Sequence, residues 1–248
     1  MINFDVPPAE PPEQALISMV ESRYGFSLVN LNLFEEDMAS FDEFTINHAL
    51  CYHFFCDLSQ FDRSLGVALE AIEGHHTPCI EKIAAIIYNI AKQVLGASNL
   101  DSAWFCLRSF LPPDNVPLKR WHMDGRHYRT EGEHYKFCIT LKGDPTQFYL
   151  LSRDLQNLRR VVWKNMEDVK FTNELCQPHL IFRQDRKEGV FFNMARASNA
   201  ALHAEPVIIR PRLFFSIVPC QQHQLSEIKT RIEVYSPASE KVIYKQSV

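Results

Sequence analysis

The spacing of apolar positions changes character part-way along the chain. Before about residue 96 they recur at three- and four-residue intervals, as on helices with one buried face. Leu16, Met19, Val20 and Tyr24 share such a face, and Gly25 is placed to end that helix in a left-handed turn. Ser40 and Glu43 form a capping-box pattern ahead of Phe44, Leu50 and Phe54. The clearest helix is TPCIEKIAAIIYNIAKQVLG. Thr77 is its cap, Pro78 its first residue and Gly96 its stop, with Ile80, Ile83, Ile87, Ile90 and Val94 as the buried stripe.

From about residue 103 the pattern becomes alternation or short apolar runs bounded by Gly, Pro and Asp. Strands are predicted at AWFCLRSF, HYKFCITLKG, TQFYLLS, RRVVW, HLIFR, GVFFNM, ALHAEPVII, RLFFSIVP, RIEVYS and KVIYK. The more polar stretch 152–175 has room for a short helix. Many short strands in close succession imply an antiparallel sandwich, barrel or jelly roll. The expected fold is α+β, with a helical segment over 1–100 packed on a β core over 101–248. The two parts form one domain, because a helical layer normally packs on the sheet it precedes.

At 248 residues the chain can bury a substantial core. A net charge of -4 argues against a dedicated nucleic-acid surface, yet leaves room for a small anion held by one or two arginines. Seven scattered cysteines with no C-x-x-C suit a reducing compartment rather than a disulfide scaffold. The acidic, proline-rich opening MINFDVPPAEPPEQ is neither a signal nor a transit peptide. No apolar run approaches the roughly 18 to 20 residues that a membrane span requires. These features predict a cytoplasmic protein without a membrane span.

One stretch carries chemistry. In KRWHMDGRH, His122 and Asp124 are two positions apart, so strand alternation sends both side chains to one face. Alone, the pair reads equally as a hydrogen-bonded surface turn at Asp-Gly. His203, in NAALHAEPVIIRPRLFFSIVP, supplies a third candidate ligand, with Glu205 as an alternative carboxylate. Two imidazoles and a carboxylate suit ferrous iron, manganese or zinc, and on one face of an octahedral ion they leave positions open. An arginine directed into an apolar sheet interior needs a partner, and a planar guanidinium takes a carboxylate bidentately. Arg212 and Arg210 compete for that role. Ser216 shares the face of Arg212 in an unbroken strand. His127 and His134 read as loop residues over the mouth of a site, and His75 and His76 as loop residues before a helix. Trp104, Trp121 and Trp163 read as packing.

With those residues in view, the sequence resembles the Fe(II)/2-oxoglutarate-dependent dioxygenases built on a double-stranded β-helix, or jelly roll. The resemblance covers roughly residues 103 to 220. It rests on His122, Asp124, His203 and Arg212 in that order, on FCITLKGDPTQFYL, on EGVFFN and on HAEPVIIRPRLFFSI. The family pattern has Ser or Thr two positions after its arginine, where this chain has Phe214, with Ser216 two further on. The resemblance implies that His122, Asp124 and His203 hold Fe(II), and that Arg212, with Ser216 or Arg210, binds 2-oxoglutarate. It also implies an oxygenase that uses molecular oxygen and decarboxylates 2-oxoglutarate to succinate. A small molecule or a protein side chain would be hydroxylated or demethylated. The loop 125–135, with Arg126, Tyr128, Arg129 and Tyr135, is the candidate for substrate contact. Two other readings stay open on the sequence: a cupin-like metal enzyme without 2-oxoglutarate, and a catalytically silent binding module.

Overall fold

The structure, a computed structural model, describes residues 6–112, 121–124, 135–150, 180–194, 200–235 and 242–243. The elements run α1 (Pro12–Glu21), β1 (Phe26–Asn30), α2 (Glu35–Glu43), β2 (Cys51–Asp57), α3 (Leu58–Glu73), α4 (Pro78–Ser98) and β3 (Ser102–Phe110). They continue with β4 (Tyr135–Lys142), β5 (Gln147–Tyr149), β6 (Ile181–Arg183), β7 (Glu188–Asn193), β8 (His203–Ala204), β9 (Arg212–Cys220), α5 (Leu225–Tyr235) and β10 (Val242–Ile243). The predicted strand RRVVW, the segment 152–175 and the loop residues Arg126, His127, Tyr128, Arg129 and His134 lie outside the described residues.

The strands form a seven-stranded sheet in the order β1-β7-β4-β9-β3-β2-β10 and a three-stranded sheet in the order β6-β5-β8. A bridge from His122 to His203 extends the smaller sheet. Between β3 and β9 the chain crosses repeatedly from one sheet to the other, with β5 and β6 as successive antiparallel strands of the smaller one, a jelly-roll-like order in an α+β fold.

The first hundred residues are not purely helical, as their periodicity suggested. β1 and β2 join the large sheet, pairing with β7 and β3. Both strands are covered on both faces, so neither shows the apolar/polar alternation of a half-exposed strand. Ser40 and Glu43 lie inside α2 instead of capping a helix, and Phe54 belongs to β2. Thr77 does sit at the cap position of α4, but its hydroxyl donates to Glu73 Oε2 at 2.6 Å. That helix runs past Gly96 to Ser98, and Asn99 makes the left-handed turn with φ 52°. Of RIEVYS, predicted as a strand, residues 231–235 form the end of helix α5. Leu225, Ile228 and Ile232 recur at helical spacing and pack with Trp104 and Cys220.

The two faces of β9 separate two cores. Leu213, Phe215 and Ile217 face α3 and α4, among Phe61, Leu65, Leu69 and the Ile80, Ile83, Ile87, Ile90, Val94 stripe. Phe61 lies 4.1 Å from Phe105 and 5.7 Å from Phe215, ring centre to ring centre. The opposite face presents Arg212, Phe214 and Ser216, with Phe214 in the core between the sheets beside Phe110, Phe148 and Phe192. The helices therefore brace the sheet from outside and leave its inner face free to carry polar groups. No helix among the described residues is long and apolar enough to cross a membrane.

Candidate functional site

The two predicted histidines meet on adjacent chain segments of the smaller sheet. The His122 N–H donates to the His203 carbonyl at 2.8 Å, and the His203 N–H to the His122 carbonyl at 3.0 Å. This reciprocal pair sets the imidazoles 4.4 Å apart, centre to centre. Asp124, one alternation beyond His122, reaches both rings. Its Oδ1 is 3.4 Å from His122 Nε2 and its Oδ2 is 3.7 Å from His203 Nε2. One potential ligand atom from each of His122, Asp124 and His203 lies within 4.8 Å of the others.

One hydrogen bond fixes the orientation of the His203 ring. Its Nδ1–H donates to the Ala201 carbonyl at 3.3 Å, which leaves the Nε2 lone pair directed towards Asp124. Burial, reinforced by the nearby His122, pushes its pKa down to about 3, so the ring is neutral and able to coordinate. Burial alone would raise Asp124, but Lys136, His203 and His122 hold it well below the ordinary carboxylate range. The strongest of these partners is Lys136, whose Nζ lies 2.7 Å from Asp124 Oδ2.

The candidate anion anchors separate sharply. Arg210 is at the surface, ion-paired with Asp144 Oδ1 at 2.5 Å. Arg212 is wholly buried. Its Nε donates to the Asp144 carbonyl at 2.9 Å, and its Nη2 to Thr146 Oγ1 at 2.9 Å and Thr140 Oγ1 at 3.3 Å. The guanidinium lies 4.8 Å from the centre of the Phe214 ring and 5.2 Å from that of Phe110. Burial lowers its pKa to about 10, which leaves it charged. Its Nη1 is buried and has no hydrogen-bond partner among the described residues. A charged donor left bare inside a protein points to a missing acceptor. The cradle depends on Gly143. Its φ is +89°, and a Cβ there would meet the Pro211 carbonyl oxygen at 2.8 Å and Arg212 Cα at 2.9 Å.

Ser216 is buried on the same strand face as Arg212, opposite Cys106 on β3 and Cys138 on β4. The hydroxyls bonded to the guanidinium are those of Thr140 and Thr146; both lie in the segment FCITLKGDPTQFYL on which the resemblance rests, but the sequence assigned them no part in holding the arginine. Glu205 does not join the three potential ligands; it lies 3.4 Å from Arg108 Nη1. Tyr135, from the predicted substrate loop, is the half-buried first residue of β4, its ring edge-on to Phe191. Among the described residues, Arg108, Lys136 and Arg212 face Asp124 and Glu205 in this region, an excess of positive charge. The signal for Arg108 and Lys136 lay in strand alternation, which sets them inward with Trp104, Cys106 and Phe110, and with Cys138 and Thr140.

A second group with metal-ligand chemistry, Cys51, His53 and Cys106, lies on β2 and β3. The Trp104 indole N–H donates to His53 Nδ1 at 2.9 Å, so the neutral ring carries its proton on Nε2, facing Cys51 Sγ at 3.2 Å. That tautomer opposes coordination through Nε2. Cys51 and Cys106 sit diagonally across the ladder with sulfurs 4.0 Å apart, a pairing whose usual Cα separation is too long for a disulfide.

No protein-family model matches the chain, and no curated protein matches it. Solved structures do. A Pseudomonas putida prolyl-4-hydroxylase is 10% identical, with 88% of this chain and 99% of that chain covered, at a TM-score of 0.41. A rice dioxygenase for auxin oxidation is 10% identical, covering 88% and 82%, at a TM-score of 0.45. HygX from Streptomyces hygroscopicus, with nickel and 2-oxoglutarate bound, is 12% identical, covering 86% and 88%, at a TM-score of 0.40.

Proposed function

We propose that the chain is an Fe(II)- and 2-oxoglutarate-dependent oxygenase. The observation that carries this reading is the Nη1 of a wholly buried, charged Arg212, without a hydrogen-bond partner among the described residues, in a β core that also brings His122, Asp124 and His203 together. The donor set fits the metal: two imidazoles and a carboxylate suit a ferrous ion and leave part of its coordination sphere open. When bound, iron and 2-oxoglutarate supply the oxidising chemistry, with molecular oxygen consumed and 2-oxoglutarate decarboxylated to succinate as the substrate is hydroxylated or demethylated.

The chain's own contribution is placement. His122 and His203 are locked by their mutual backbone hydrogen bonds, and His203 additionally by Ala201. Arg212 offers Nη1 to the distal carboxylate of 2-oxoglutarate. The Thr140 and Thr146 hydroxyls and the Asp144 carbonyl hold the guanidinium plane steady. The positive excess inside the site favours a dianionic co-substrate. Aromatic rings of Phe110, Phe148, Phe192 and Phe214 keep the space between the sheets apolar, which strengthens these electrostatic contacts.

The substrate is a small molecule or a protein side chain, consistent with a chain of net charge -4 that lacks a concentrated basic surface in its composition. The six described cysteines are all free, which suits a cytoplasmic setting. Anaerobic addition of Fe(II) and 2-oxoglutarate should produce a weak visible charge-transfer band. Under oxygen, 2-oxoglutarate should be converted to succinate, and Arg212→Ala should abolish that conversion. Metal binding without the band or any effect of 2-oxoglutarate on the melting temperature would make it a cupin-like enzyme. Failure to bind metal would leave a silent binding module.

A further inference from the structure

Lys136 places a cation against the carboxylate that a metal ion would use. It heads the inner face of β4, and its Nζ lies 2.7 Å from Asp124 Oδ2 and 5.8 Å from the centre of the Trp104 ring. Asp124 Oδ1 is already beside His122 at 3.4 Å. The Lys136 side chain is only 14% exposed, so its ammonium needs a counter-charge inside the protein.

We propose that Lys136 is a competing cation built into the candidate metal site, so that the site takes up a divalent ion together with an anion rather than alone. The inference rests on the metal-centre reading above. An ion among His122, Asp124 and His203 draws on the same carboxylate as Lys136, and two cations then share one negative charge a few ångströms apart. No described carboxylate stands in reserve, because Glu205 is engaged by Arg108 and Asp144 by Arg210. The ammonium regains a counter-charge when an anion enters with the ion, and the face of Trp104 gives it somewhere to lean meanwhile. Metal and anion therefore favour each other, and the coupling is reciprocal.

The test is Co(II) binding to metal-free protein by equilibrium dialysis, with and without saturating 2-oxoglutarate, in the wild type, Lys136→Met and Lys136→Arg. Without 2-oxoglutarate, Lys136→Met should bind Co(II) about tenfold more tightly than the wild type, because a nearby repelling charge is gone. The factor by which 2-oxoglutarate tightens Co(II) should fall about tenfold in Lys136→Met, while Lys136→Arg keeps wild-type behaviour. Direct chelation of Co(II) by 2-oxoglutarate occurs in all three proteins and cancels from the comparison. Equal Co(II) affinity in Lys136→Met and wild type, or an unchanged coupling factor, overturns the proposal while leaving the metal centre intact. A wild type that takes up no Co(II) under either condition overturns the metal-centre reading as well. If Lys136→Met does not fold, wild-type protein decides. Acylation of Lys136 by acetic anhydride, followed by mass spectrometry, should be faster with Co(II) alone and slow again with Co(II) plus 2-oxoglutarate, and equal rates in all states refute the idea.

Discussion

Replacing Arg212 with Met should separate stability from ligand binding. In the ligand-free protein the guanidinium makes three hydrogen bonds to neutral acceptors. Each such bond to a charged group contributes about 1.5–3 kcal/mol. Against them stands the desolvation of a buried cation, several kcal/mol even after relaxation. The bare Nη1 adds about 1–3 kcal/mol of its own. These terms nearly cancel, so Arg212→Met should unfold within about 2 kcal/mol of the wild type, in either direction. Binding should respond differently. Removing one partner of a buried charge pair costs about 2–5 kcal/mol, or roughly 30-fold or more in affinity. With Mn(II) present to prevent turnover, 2-oxoglutarate at about 100 times its wild-type Kd should stabilise the wild type by about 2.7 kcal/mol. For a chain of this size that is a rise of about 5–10 °C in Tm. The same concentration should raise the Tm of Arg212→Met by no more than about 3 °C. A variant that keeps the full shift would refute Arg212 as the anchor.

Arg210→Ala should change stability by less than about 1 kcal/mol and succinate formation by no more than about threefold, because its ion pair with Asp144 is at the surface. A large loss of turnover in that variant would reverse the assignment of the two arginines. Gly143→Ala forces a side chain into a positive-φ turn against the backbone at Pro211 and Arg212. It should cost about 1–3 kcal/mol in urea unfolding and also weaken 2-oxoglutarate binding, since the Asp144 carbonyl is part of the same turn. His203→Ala should abolish Co(II) uptake in equilibrium dialysis while leaving the far-ultraviolet circular dichroism unchanged. Phe61→Ala should lower unfolding free energy by about 3–5 kcal/mol, yet leave the 2-oxoglutarate Kd of the folded protein unchanged, because the ring packs on the outer face of the sheet.

How much of this was legible in the sequence depended on whether a residue's environment was one-sided. Helix α4 has one apolar stripe and a Thr-Pro start, and its five predicted core positions are all buried. Strands β1 and β2 are packed on both faces, so period alone could not distinguish them from helix, although aromatic content in CYHFFCD was a usable signal. The convergence of His122, Asp124 and His203 was readable because two of them obey strand alternation and the third fell in an apolar strand-like run. Thr140, Thr146 and Asp144 were not readable as the Arg212 cradle, because the turn at Gly143 brings them together and nothing in their spacing announces it. The inward positions of Arg108 and Lys136 follow from strand alternation, but neither residue was singled out in the sequence, because a single charge within an apolar run does not show what it faces across the sheet.

The division of labour across the large sheet explains how such a charged interior is tolerated. On its outer side, α3 and α4 cover Phe105, Phe215, Ile139 and Leu213, and this apolar layer supplies folding free energy without any ligand. On the inner side, Arg212, Lys136 and Asp124 are held by neutral acceptors and by one another, an arrangement that adds little net stability. Substitutions on the two sides should therefore segregate. Outer-face truncations should lower the melting temperature with or without 2-oxoglutarate. Inner-face charge removals should leave the ligand-free melting temperature nearly unchanged and alter only the increment that metal and 2-oxoglutarate add. A set of inner-face variants whose ligand-free stability fell in step with the outer-face set would mean that these charges serve the fold, and the site reading would lose its physical basis.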